Sequence, residues 1–387
     1  MQDCTNIFII GVNLADTAVA SSIRVRNLFD TVVNNSHYSV INIVSEDNSS
    51  KLSYNPRFYK ASGYFRFLSF ISLIMESKRK FQRNLLYCYG SISINYFDLI
   101  LVCKILKIPI IFDIIENVHI KGDLRRFVSH LNFYFTTFFE RHLYWFADEC
   151  IVISSKLFRL INQLSQGRYP VVHIPISVKL NEWDYHYSKI DEKTIIFYGG
   201  SFGPKDGLNY LFAAFDNIAS DYPLVELHLS GKGAERHIKI TKENINNLAH
   251  KEGVKLLGSL EREDYVKKVL SADIVCVTRT NSVFANYGFP FKLGEYLAAG
   301  KAIIVSDVGD VSKYLEHGVD SYFVVPESFK SIETALRNLI DDPNLRIKIG
   351  QNAKQKARLL FDSQKIGLEF EKCILTLFMK KKSNRTK

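Results

Sequence analysis

The chain has 387 residues, of which 47% are hydrophobic and 23% are charged, so it has the composition of a globular protein long enough for two domains. Lysine and arginine number 50 against 40 acidic residues, and the net charge of +10 favours anionic partners such as nucleic acid, anionic lipid or phosphorylated substrates. No uncharged apolar run of about twenty residues is present, which argues against a spanning helix, and no signal peptide is expected. The six cysteines are scattered without a Cys-x-x-Cys pair, which predicts core residues in a reducing, cytoplasmic setting.

The first half of the chain alternates short apolar runs with helical patterns. Strands are predicted at residues 7–12, 38–44, 85–89 and 109–115, and a helix is predicted to begin near Ser21. Because parallel strands need a helical crossover between them, this rhythm predicts a parallel sheet covered by helices.

Polar side chains follow the strand predicted at residues 109–115. Glu116 and His119 come just past its carboxyl end, where open α/β sheets bind ligands. Both are candidate catalytic residues, and a solvated loop or a helix cap is the alternative interpretation. The basic residues that follow, Lys121, Arg125 and Arg126, suit either a lipid phosphate or an ordinary charged surface.

Residues 63–80 combine an aromatic stretch with a basic end at Lys78, Arg79 and Lys80. Such a helix suits the surface of an anionic membrane. A core helix with a solvated tail fits the pattern better, because the apolar positions extend around the helix instead of forming one stripe.

The second half begins after a polar, aperiodic segment at residues 177–193, which is the best candidate for a linker. A strand at residues 194–198 then leads into a glycine-rich turn that contains Gly200, Ser201 and Lys205. A strand-to-helix turn of this kind lets a phosphate approach the backbone amides of residues 199–203, and the lysine adds positive charge. A tight turn with a solvated lysine is the plainer interpretation.

Residues 284–310 have the pattern of a loop, a helix, a turn and a buried strand. The helix predicted at residues 292–299 places Lys292 and Glu295 on neighbouring positions of its first turn, beside amides that the helix itself leaves unbonded. A cation, a carboxylate and open amides together suit a ligand with phosphate and hydroxyl groups. The same spacing is common in surface ion pairs that contribute little.

Residues 290–303 have the pattern P-x-K-x-x-E-Y-x-A-x-G-K-x-I, which resembles the donor-site segment of family 4 glycosyltransferases of the GT-B fold. The resemblance implies an α/β protein with two doubly wound, Rossmann-like domains that face each other across a cleft. Residues 1–180 would form the acceptor-side domain and residues 181–360 the nucleotide-sugar donor domain. Residues 361–387 would supply a helix that crosses back to the first domain, followed by a basic tail.

The same resemblance assigns roles to individual positions. Lys205 and Lys292 would contact the donor phosphates, and Glu295 would accept hydrogen bonds from the ribose hydroxyls. The other implied donor-site positions are Gly11, Gly200, Ser201, Gly231, Leu260, Arg279, Tyr287, Gly288 and Phe289. Among these, Gly11 lies in the loop after the first strand, Gly231 opens a Gly-x-Gly, and the backbone at Leu260 would contact the nucleotide base.

Two positions depart from the family pattern. Gly200 stands where family members typically have an arginine, and Tyr287 stands where the first of two glutamates is expected. Arg279, on the loop after the strand at residues 274–277, is a candidate for the missing charge. Without the first glutamate, Asn286 or the backbone amides of residues 286–289 would have to hold the sugar.

The resemblance implies a retaining transfer of a sugar from a nucleotide-diphosphate sugar, such as a UDP- or GDP-sugar, to a saccharide or lipid-linked acceptor in bacterial surface polysaccharide synthesis. Lys205 and Glu295 are the catalytic candidates on the donor side, and Glu116 and His119 lie near the transferred sugar or acceptor. No metal or other cofactor is expected, because no Asp-x-Asp pair is evident and side-chain cations can balance the leaving phosphate. Peripheral contact with the inner face of the cell membrane is the expectation for a lipid-linked acceptor.

Three other interpretations fit parts of this pattern. A nucleotide-sugar epimerase of the same architecture would act on the donor alone. A sugar-nucleotide-binding scaffold with little activity would explain the departures at Gly200 and Tyr287. A nucleic-acid binder would explain the charge of +10, but it would need a basic stripe with stacking aromatics, whereas the charge here is dispersed.

Overall fold

The computed structural model describes residues 4–14, 19–35, 37–44, 57–60, 66–90, 92–116, 127–185 and 192–383. The chain divides into two compact units, the first made of Met1–Ser177 with Ser363–Lys387 and the second of Val178–Asp362. Each unit contains its own parallel sheet flanked by helices, which confirms the predicted pair of Rossmann-like α/β units. No described helix has both the length and the apolar character needed to cross a membrane.

The first unit contains a seven-stranded sheet within the described ranges, in the order β3-β2-β1-β4-β5-β6-β7, and every pairing in it is parallel. Its strands are β1 Thr5–Ile10, β2 Tyr38–Val44, β3 Arg57–Lys60, β4 Arg83–Tyr89, β5 Ile110–Ile114, β6 Glu149–Val152 and β7 Val171–His173. Its first helices are α1 Ala20–Val33, α2 Arg66–Lys80, α3 Phe97–Ile105, α4 Phe127–Arg141 and α5 Ser155–Ser165. Strand β1 is buried throughout because it lies inside the sheet, with Ile7 paired to Val40 on one side and Leu85 on the other.

The second unit contains a six-stranded parallel sheet among its described residues, in the order β10-β9-β8-β11-β12-β13. The strands are β8 Thr194–Gly200, β9 Val225–Gly231, β10 Val254–Gly258, β11 Ile274–Val277, β12 Ala302–Ser306 and β13 Tyr322–Val324. The helices are α6 Leu208–Ala219, α7 Glu235–Asn246, α8 Arg262–Ser271, α9 Val283–Tyr287, α10 Phe291–Ala298, α11 Val311–Tyr314, α12 Phe329–Asp341 and α13 Pro343–Leu360.

The last helix, α14 (Ser363–Ser383), belongs to the first unit. Phe370 of this helix packs edge-on against Phe29 of α1 at 5.0 Å and against Tyr87 of β4 at 5.7 Å between ring centroids. Close approach of α14 to α1 is possible because position 367 is a glycine, where a Cβ would overlap the side chain of Thr31.

A fully buried ion pair joins three elements of the first unit. Arg24 of α1 donates from Nε and Nη2 to the two carboxylate oxygens of Asp113 in β5, at 2.7 and 2.9 Å. The same guanidinium donates to the carbonyl oxygens of Ile174 and Pro175 after β7, and Tyr87 donates to Asp113 at 2.6 Å. All the charged atoms are therefore hydrogen-bonded, which is the condition under which a buried ion pair is tolerated.

The aromatic segment predicted as a core helix corresponds to α2, and residues 61–65 lie outside the described part of the chain. Phe70 and Ile74 are fully buried, whereas Leu68 and Met75 are exposed and the basic end at residues 78–80 is exposed as well. The helix is thus a core helix along one face with a solvated tail, as the favoured interpretation has it.

The segment expected to be a linker packs onto the second unit. A 3-10 turn at Leu180–Trp183 inserts the indole of Trp183, which is 1% exposed, beneath helix α8. The sequence of residues 177–193 does not predict this packing, because the segment is polar and a single buried tryptophan produces no periodic pattern. The division between units falls at Ser177, and residues 186–191 are not described.

Candidate functional site

The strand order of the second sheet reverses between β8 and β11, which are neighbours although five helices and strands separate them in sequence. In open α/β sheets, ligands bind beyond the carboxyl ends of the strands at such a switch point. The segments that leave these two strands contact each other here. The Thr280 amide donates to the carbonyl oxygen of Lys205 at 3.0 Å, and the Thr278 hydroxyl donates to that of Asp206 at 3.1 Å.

The glycine-rich turn after β8 is held in shape by Asp206, a residue that the sequence analysis did not single out. Its carboxylate accepts hydrogen bonds from the Ser201 hydroxyl at 2.7 Å and from the Gly203 amide at 2.8 Å. The ammonium of Lys205 lies 4.6 Å from the centre of the Phe284 ring in α9. The Gly203 amide, expected to face a phosphate, is thus bonded within the turn instead.

A steric reason explains why position 200 is a glycine and not the arginine of the family pattern. A Cβ on Gly200 would overlap the hydroxyl of Tyr198, which occupies that space. Burial and Asp206 raise the pKa of the Tyr198 hydroxyl well above its ordinary value, and the nearby positive charge of Arg279 opposes this rise. Arg279 comes two residues after β11, and its charge acts on the Tyr198 hydroxyl that fills the space beside Gly200.

Gly231 is also explained by close backbone approach. It pairs with Gly200 across strands β8 and β9 and has a φ of 155°, and a Cβ there would overlap the Gly200 carbonyl. Leu260 comes two residues after the end of β10 and is half-buried.

Helix α10 brings Lys292 and Glu295 together, as their spacing predicts. Unlike a surface ion pair, these two side chains also contact other residues of the protein. The ammonium of Lys292 lies 3.3 Å from Oε2 of Glu295 and 3.9 Å from the centre of the Tyr265 ring. The hydroxyl of Tyr265 donates to the same Oε2 at 3.2 Å. Glu295 is 4% exposed, so this is a buried cluster and not a solvated ion pair.

Arg262, at the first position of helix α8, completes this cluster and was missed at the sequence level. Its Nη1 donates to Oε1 of Glu295 at 2.5 Å, and its Nη2 donates to Glu182 at 2.6 Å. The guanidinium also lies over the Trp183 ring, 5.3 Å from its centre. Residues from three separate segments therefore converge on one arginine, and nothing local in the sequence marks that convergence.

The cluster keeps Glu295 ionised. Burial alone would raise the pKa of this carboxyl, but Lys292 and Arg262 hold it below its ordinary value. Burial likewise opposes the charge of Arg262, whereas Glu295 and Glu182 raise the pKa of its guanidinium. Lys292 is thereby held beside a permanent negative charge at the start of a helix.

A tyrosine joins the helix to the glycine-rich turn. The Gly199 amide donates to the hydroxyl oxygen of Tyr296 at 2.8 Å, and the space over Gly199 is filled by the ring of Tyr265. The Gly199 amide, which was expected to face a phosphate, is therefore bonded to a side chain of the protein instead. The turn carrying Lys205 and the helix carrying Lys292 are fixed to each other through this bond.

The loop expected to hold a sugar contains a short helix, α9, that the sequence analysis did not predict. The Asn286 amide donates to the Ser282 carbonyl at 3.0 Å and the Gly288 amide donates to the Phe284 carbonyl at 3.3 Å, so both are committed to α9. Tyr287 ends this helix and is half-buried. Phe289 is 3% exposed and packs on Tyr314 at 5.5 Å between centroids, which makes its side chain a core residue.

The candidates in the first unit lie at the carboxyl ends of its strands. Gly11 follows β1 and approaches the Tyr89 carbonyl so closely that a Cβ would overlap it. Burial raises the pKa of Tyr89, and the nearby charges of Asp113 and Glu116 raise it further. Glu116 comes two residues after β5, which pairs with β4 in the sheet. His119, Lys121, Arg125 and Arg126 lie outside the described residues.

The six cysteines are all described and free. Four of them are buried, which confirms the predicted place in the core for these four, whereas Cys4 and Cys373 are half-buried. Among the residues that the structure describes, no group of three or more histidine, cysteine and acidic side chains could hold a metal ion.

Sequence comparison identifies the second unit. Residues 181–356 match the family model for glycosyl transferases group 1. A phosphatidyl-myo-inositol mannosyltransferase of Mycolicibacterium smegmatis is 26% identical over 154 residues, which cover 40% of this chain and 38% of that protein. An N,N'-diacetylbacillosaminyl-diphospho-undecaprenol alpha-1,3-N-acetylgalactosaminyltransferase of Campylobacter jejuni is 28% identical over 29% of this chain and 28% of its own length.

Structural comparison covers nearly the whole chain. Sucrose-phosphate synthase from Thermosynechococcus elongatus aligns with a TM-score of 0.74 and 17% identity, over 97% of this chain and all of that one. Anabaena HepE in complex with UDP-glucose aligns with a TM-score of 0.75 and 15% identity, over 96% of this chain and 99% of that one.

The chain has the GT-B fold, and nearly all of its second unit matches the family model for glycosyl transferases group 1. The predicted resemblance to family 4 glycosyltransferases is confirmed at this level. The aligned stretches span only about two fifths or less of the two curated relatives named above.

Proposed function

We propose that this chain is a retaining glycosyltransferase that moves a sugar from a nucleotide-diphosphate sugar to a hydroxyl of a saccharide or lipid-linked acceptor. The observation that supports this most strongly is that the turn carrying Lys205 and the segment carrying Arg279 contact each other at the switch point of the second sheet. The hydrogen bond from the Gly199 amide to Tyr296 joins strand β8, which leads into that turn, to helix α10, which carries the Lys292–Glu295 cluster. The names of the relatives and the UDP-glucose held by HepE support the same class of donor and of acceptor.

The chemical demand of the reaction is the departure of a nucleoside diphosphate while positive charge builds on the sugar. Fixed cations near the diphosphate stabilise the charge that develops on the leaving group, and they need no reorganisation during the reaction. Lys205, Lys292 and Arg279 are proposed to fill this role, with Arg279 replacing the arginine for which Tyr198 leaves no room at Gly200. The proposal needs no metal or other cofactor.

We propose fewer ribose contacts for Glu295 than the sequence analysis expects. A carboxylate has about four acceptor positions. Arg262, Tyr265 and Lys292 already contact its two oxygens. A ribose diol that donates two hydrogen bonds would have to displace one of these groups, so we assign Glu295 one ribose contact and the positioning of Lys292 and Arg262.

The acceptor side is proposed to lie in the first unit, where Glu116 comes two residues after the end of β5. A lipid-linked saccharide is the proposed acceptor, in the synthesis of a bacterial surface polysaccharide at the cytoplasmic face of the membrane. His119 keeps its candidate role near the acceptor as a prediction from the sequence.

The test is to incubate the protein with UDP- and GDP-sugars, with and without polyprenyl-diphosphate-linked saccharides, and to follow release of free nucleoside diphosphate. The proposal predicts release that depends on the acceptor and a product whose anomeric configuration, read by NMR, matches that of the donor. A change in the donor sugar without any acceptor would instead support an epimerase. Binding without turnover in every combination would support a scaffold.

Arg262→Gln is expected to raise the donor KM about tenfold or more with a smaller change in kcat, because Glu295 loses a short charge-assisted hydrogen bond. Arg262→Lys should restore part of the affinity, since lysine keeps the charge but lacks the fork that spans Glu182 and Glu295.

The matched control for this prediction is Arg337→Gln. Arg337 also bridges two carboxylates, Glu333 and Asp221, beside a tyrosine ring at 5.8 Å, but on helix α12. Steady-state kinetics of all three variants should show the KM effect at Arg262 alone. A lower unfolding midpoint at Arg262 with an unchanged KM would mean that the residue is only structural.

A further inference from the structure

Large apolar side chains line one exposed stripe of helix α4. Leu131, Tyr134 and Phe138 occupy positions three and four residues apart on this helix, and Trp145 continues the line in the 3-10 turn Leu143–Trp145. They are 50%, 56%, 49% and 45% exposed respectively. We call these four residues the α4 stripe. On a monomeric surface such residues usually occur singly, so an aligned set of four indicates an interaction surface.

The groups around the α4 stripe are basic or aromatic. Arg141 is exposed on the same side of the helix, and the ring of His142 stacks between Phe138 and Trp145, with both centroid distances 4.5 Å. Between residues 127 and 146 the sequence contains one acidic residue, Glu140, and that side chain is fully buried. The exposed charge on this surface is therefore positive.

Further basic residues come to the same end of the unit. Lys104 of α3 donates to the Phe146 carbonyl, directly after the α4 stripe, at 3.3 Å. Lys78, in the exposed basic end of α2, donates to the Leu106 carbonyl at the end of α3 at 3.0 Å. Between them lies Ile105, which is 64% exposed. Apolar and cationic groups are thus interleaved over α2, α3 and α4, with Glu76 of α2, which pairs with Lys80, as an exposed acidic group among them.

We propose that the α4 stripe is the surface through which this protein binds an anionic phospholipid membrane. Tryptophan and tyrosine favour the interface because the ring is apolar and its polar atom reaches water, while lysine and arginine attract anionic headgroups. A helix of this kind lies in the plane of the interface with its apolar face buried in the headgroup region. The proposal rests on the proposed function in one respect only, namely that a lipid-linked acceptor is located in the membrane, where the enzyme would have to reach it.

The test uses the two tryptophans of the chain, Trp145 in the stripe and Trp183, which is 1% exposed in the second unit. Vesicles of phosphatidylglycerol and phosphatidylcholine should shift the emission of the full-length protein to the blue and protect it from iodide, whereas vesicles of phosphatidylcholine alone should do neither. The Trp145→Phe variant should still co-sediment with anionic vesicles but should lose the spectral change. Persistence of the spectral change in that variant would overturn the proposal.

Two surface variants complete the test. Tyr134→Ser/Phe138→Ser should lower vesicle affinity by about tenfold or more, because two interfacial anchors are lost. Leu368→Ser, on α14 of the same unit and 56% exposed, is the control and should bind as the wild type does. Equal binding of all three proteins would contradict the proposal.

A dimer in sedimentation velocity that the double variant converts to monomer, without vesicle binding by the wild type, would assign the stripe to a second copy of the chain. Vesicle binding needs no donor or acceptor, so it is scored separately from transfer activity. Vesicle binding without any transfer would overturn the proposed function and leave the membrane surface standing. Transfer to a water-soluble acceptor without vesicle binding would overturn the membrane surface and leave the proposed function standing.

Discussion

Glu295→Gln is expected to lower kcat/KM for the nucleotide-sugar donor by at least about 100-fold, comparable with the loss of one preorganised charged contact in an active site. The substitution keeps the shape of the side chain and removes its charge. Lys292 and Arg262 then lose the carboxylate that both contact, at 3.3 and 2.5 Å, and neither is held in its present position. The measurement is steady-state kinetics with varied donor at saturating acceptor.

The control for Glu295→Gln is Glu333→Gln. Glu333 also pairs with an arginine and accepts a hydrogen bond from an amide side chain, Asn217, but it lies on helix α12. Its replacement should leave kcat/KM unchanged. If Glu295→Gln were to keep kcat/KM within about threefold of the wild type, the buried cluster would have no part in transition-state stabilisation.

Arg24→Met is expected to destabilise the first unit by about 3–5 kcal/mol, because it leaves the buried Asp113 carboxylate without its cation. Asp113 is fully buried and would keep only the hydrogen bond from Tyr87 among its described side-chain partners. The expected result is a loss of amide protection in the peptides of α1 and β5, measured by hydrogen exchange with mass spectrometry at increasing urea. Peptides of the second unit should change little, since each unit has its own core.

Removing the whole network tests whether the cost arises from the stranded charge. The triple variant Arg24→Met/Tyr87→Phe/Asp113→Leu leaves no buried ionic group at this place and should recover most of the lost stability. Arg337→Met is the control, since its ion pairs are partly exposed to solvent and are expected to contribute little. A triple variant no more stable than Arg24→Met would show that the ion pair contributes through packing and not through charge.

The strands of both sheets could largely be predicted because each is a short apolar run that ends at a glycine or polar residue. Strand β2 at residues 38–44 and strand β11 at residues 274–277 were predicted with their observed bounds. Strand β3 was not, because Arg57–Lys60 has two basic ends and no apolar run that stands out from its surroundings. Helix α9 was missed because five residues are too few to establish a helical period.

The candidate site was predictable only where its residues are close in sequence. Lys292 and Glu295 lie three residues apart on one helix, so their spacing already indicates contact. Arg262 joins Glu182 and Glu295, which are 80 and 33 residues away, and only the folded chain brings these three together. The arginine in Glu261-Arg262-Glu263 looks like ordinary surface charge until the fold buries it.

The reason for a glycine at position 200 is also visible only in the folded chain and not in the sequence. A family pattern indicates that an arginine is missing there, but only the folded structure shows that the Tyr198 hydroxyl fills the space and that the charge of Arg279 acts on this hydroxyl. Four backbone amides show the same limit, namely those of Gly199, Gly203, Asn286 and Gly288. Each was a candidate ligand for phosphate or sugar by position, and each is bonded to a group of the protein itself.

The central claim is that the second unit binds a nucleotide-diphosphate sugar through Lys292 and its neighbours, and thermal unfolding of the whole protein with a panel of nucleotide sugars tests it most directly. A ligand that binds only the folded state raises the unfolding midpoint with concentration. The account predicts that at least one UDP- or GDP-sugar raises the midpoint of the wild type and fails to raise that of Lys292→Ala. A panel that leaves the wild-type midpoint unmoved, or one that stabilises both proteins equally, would contradict it.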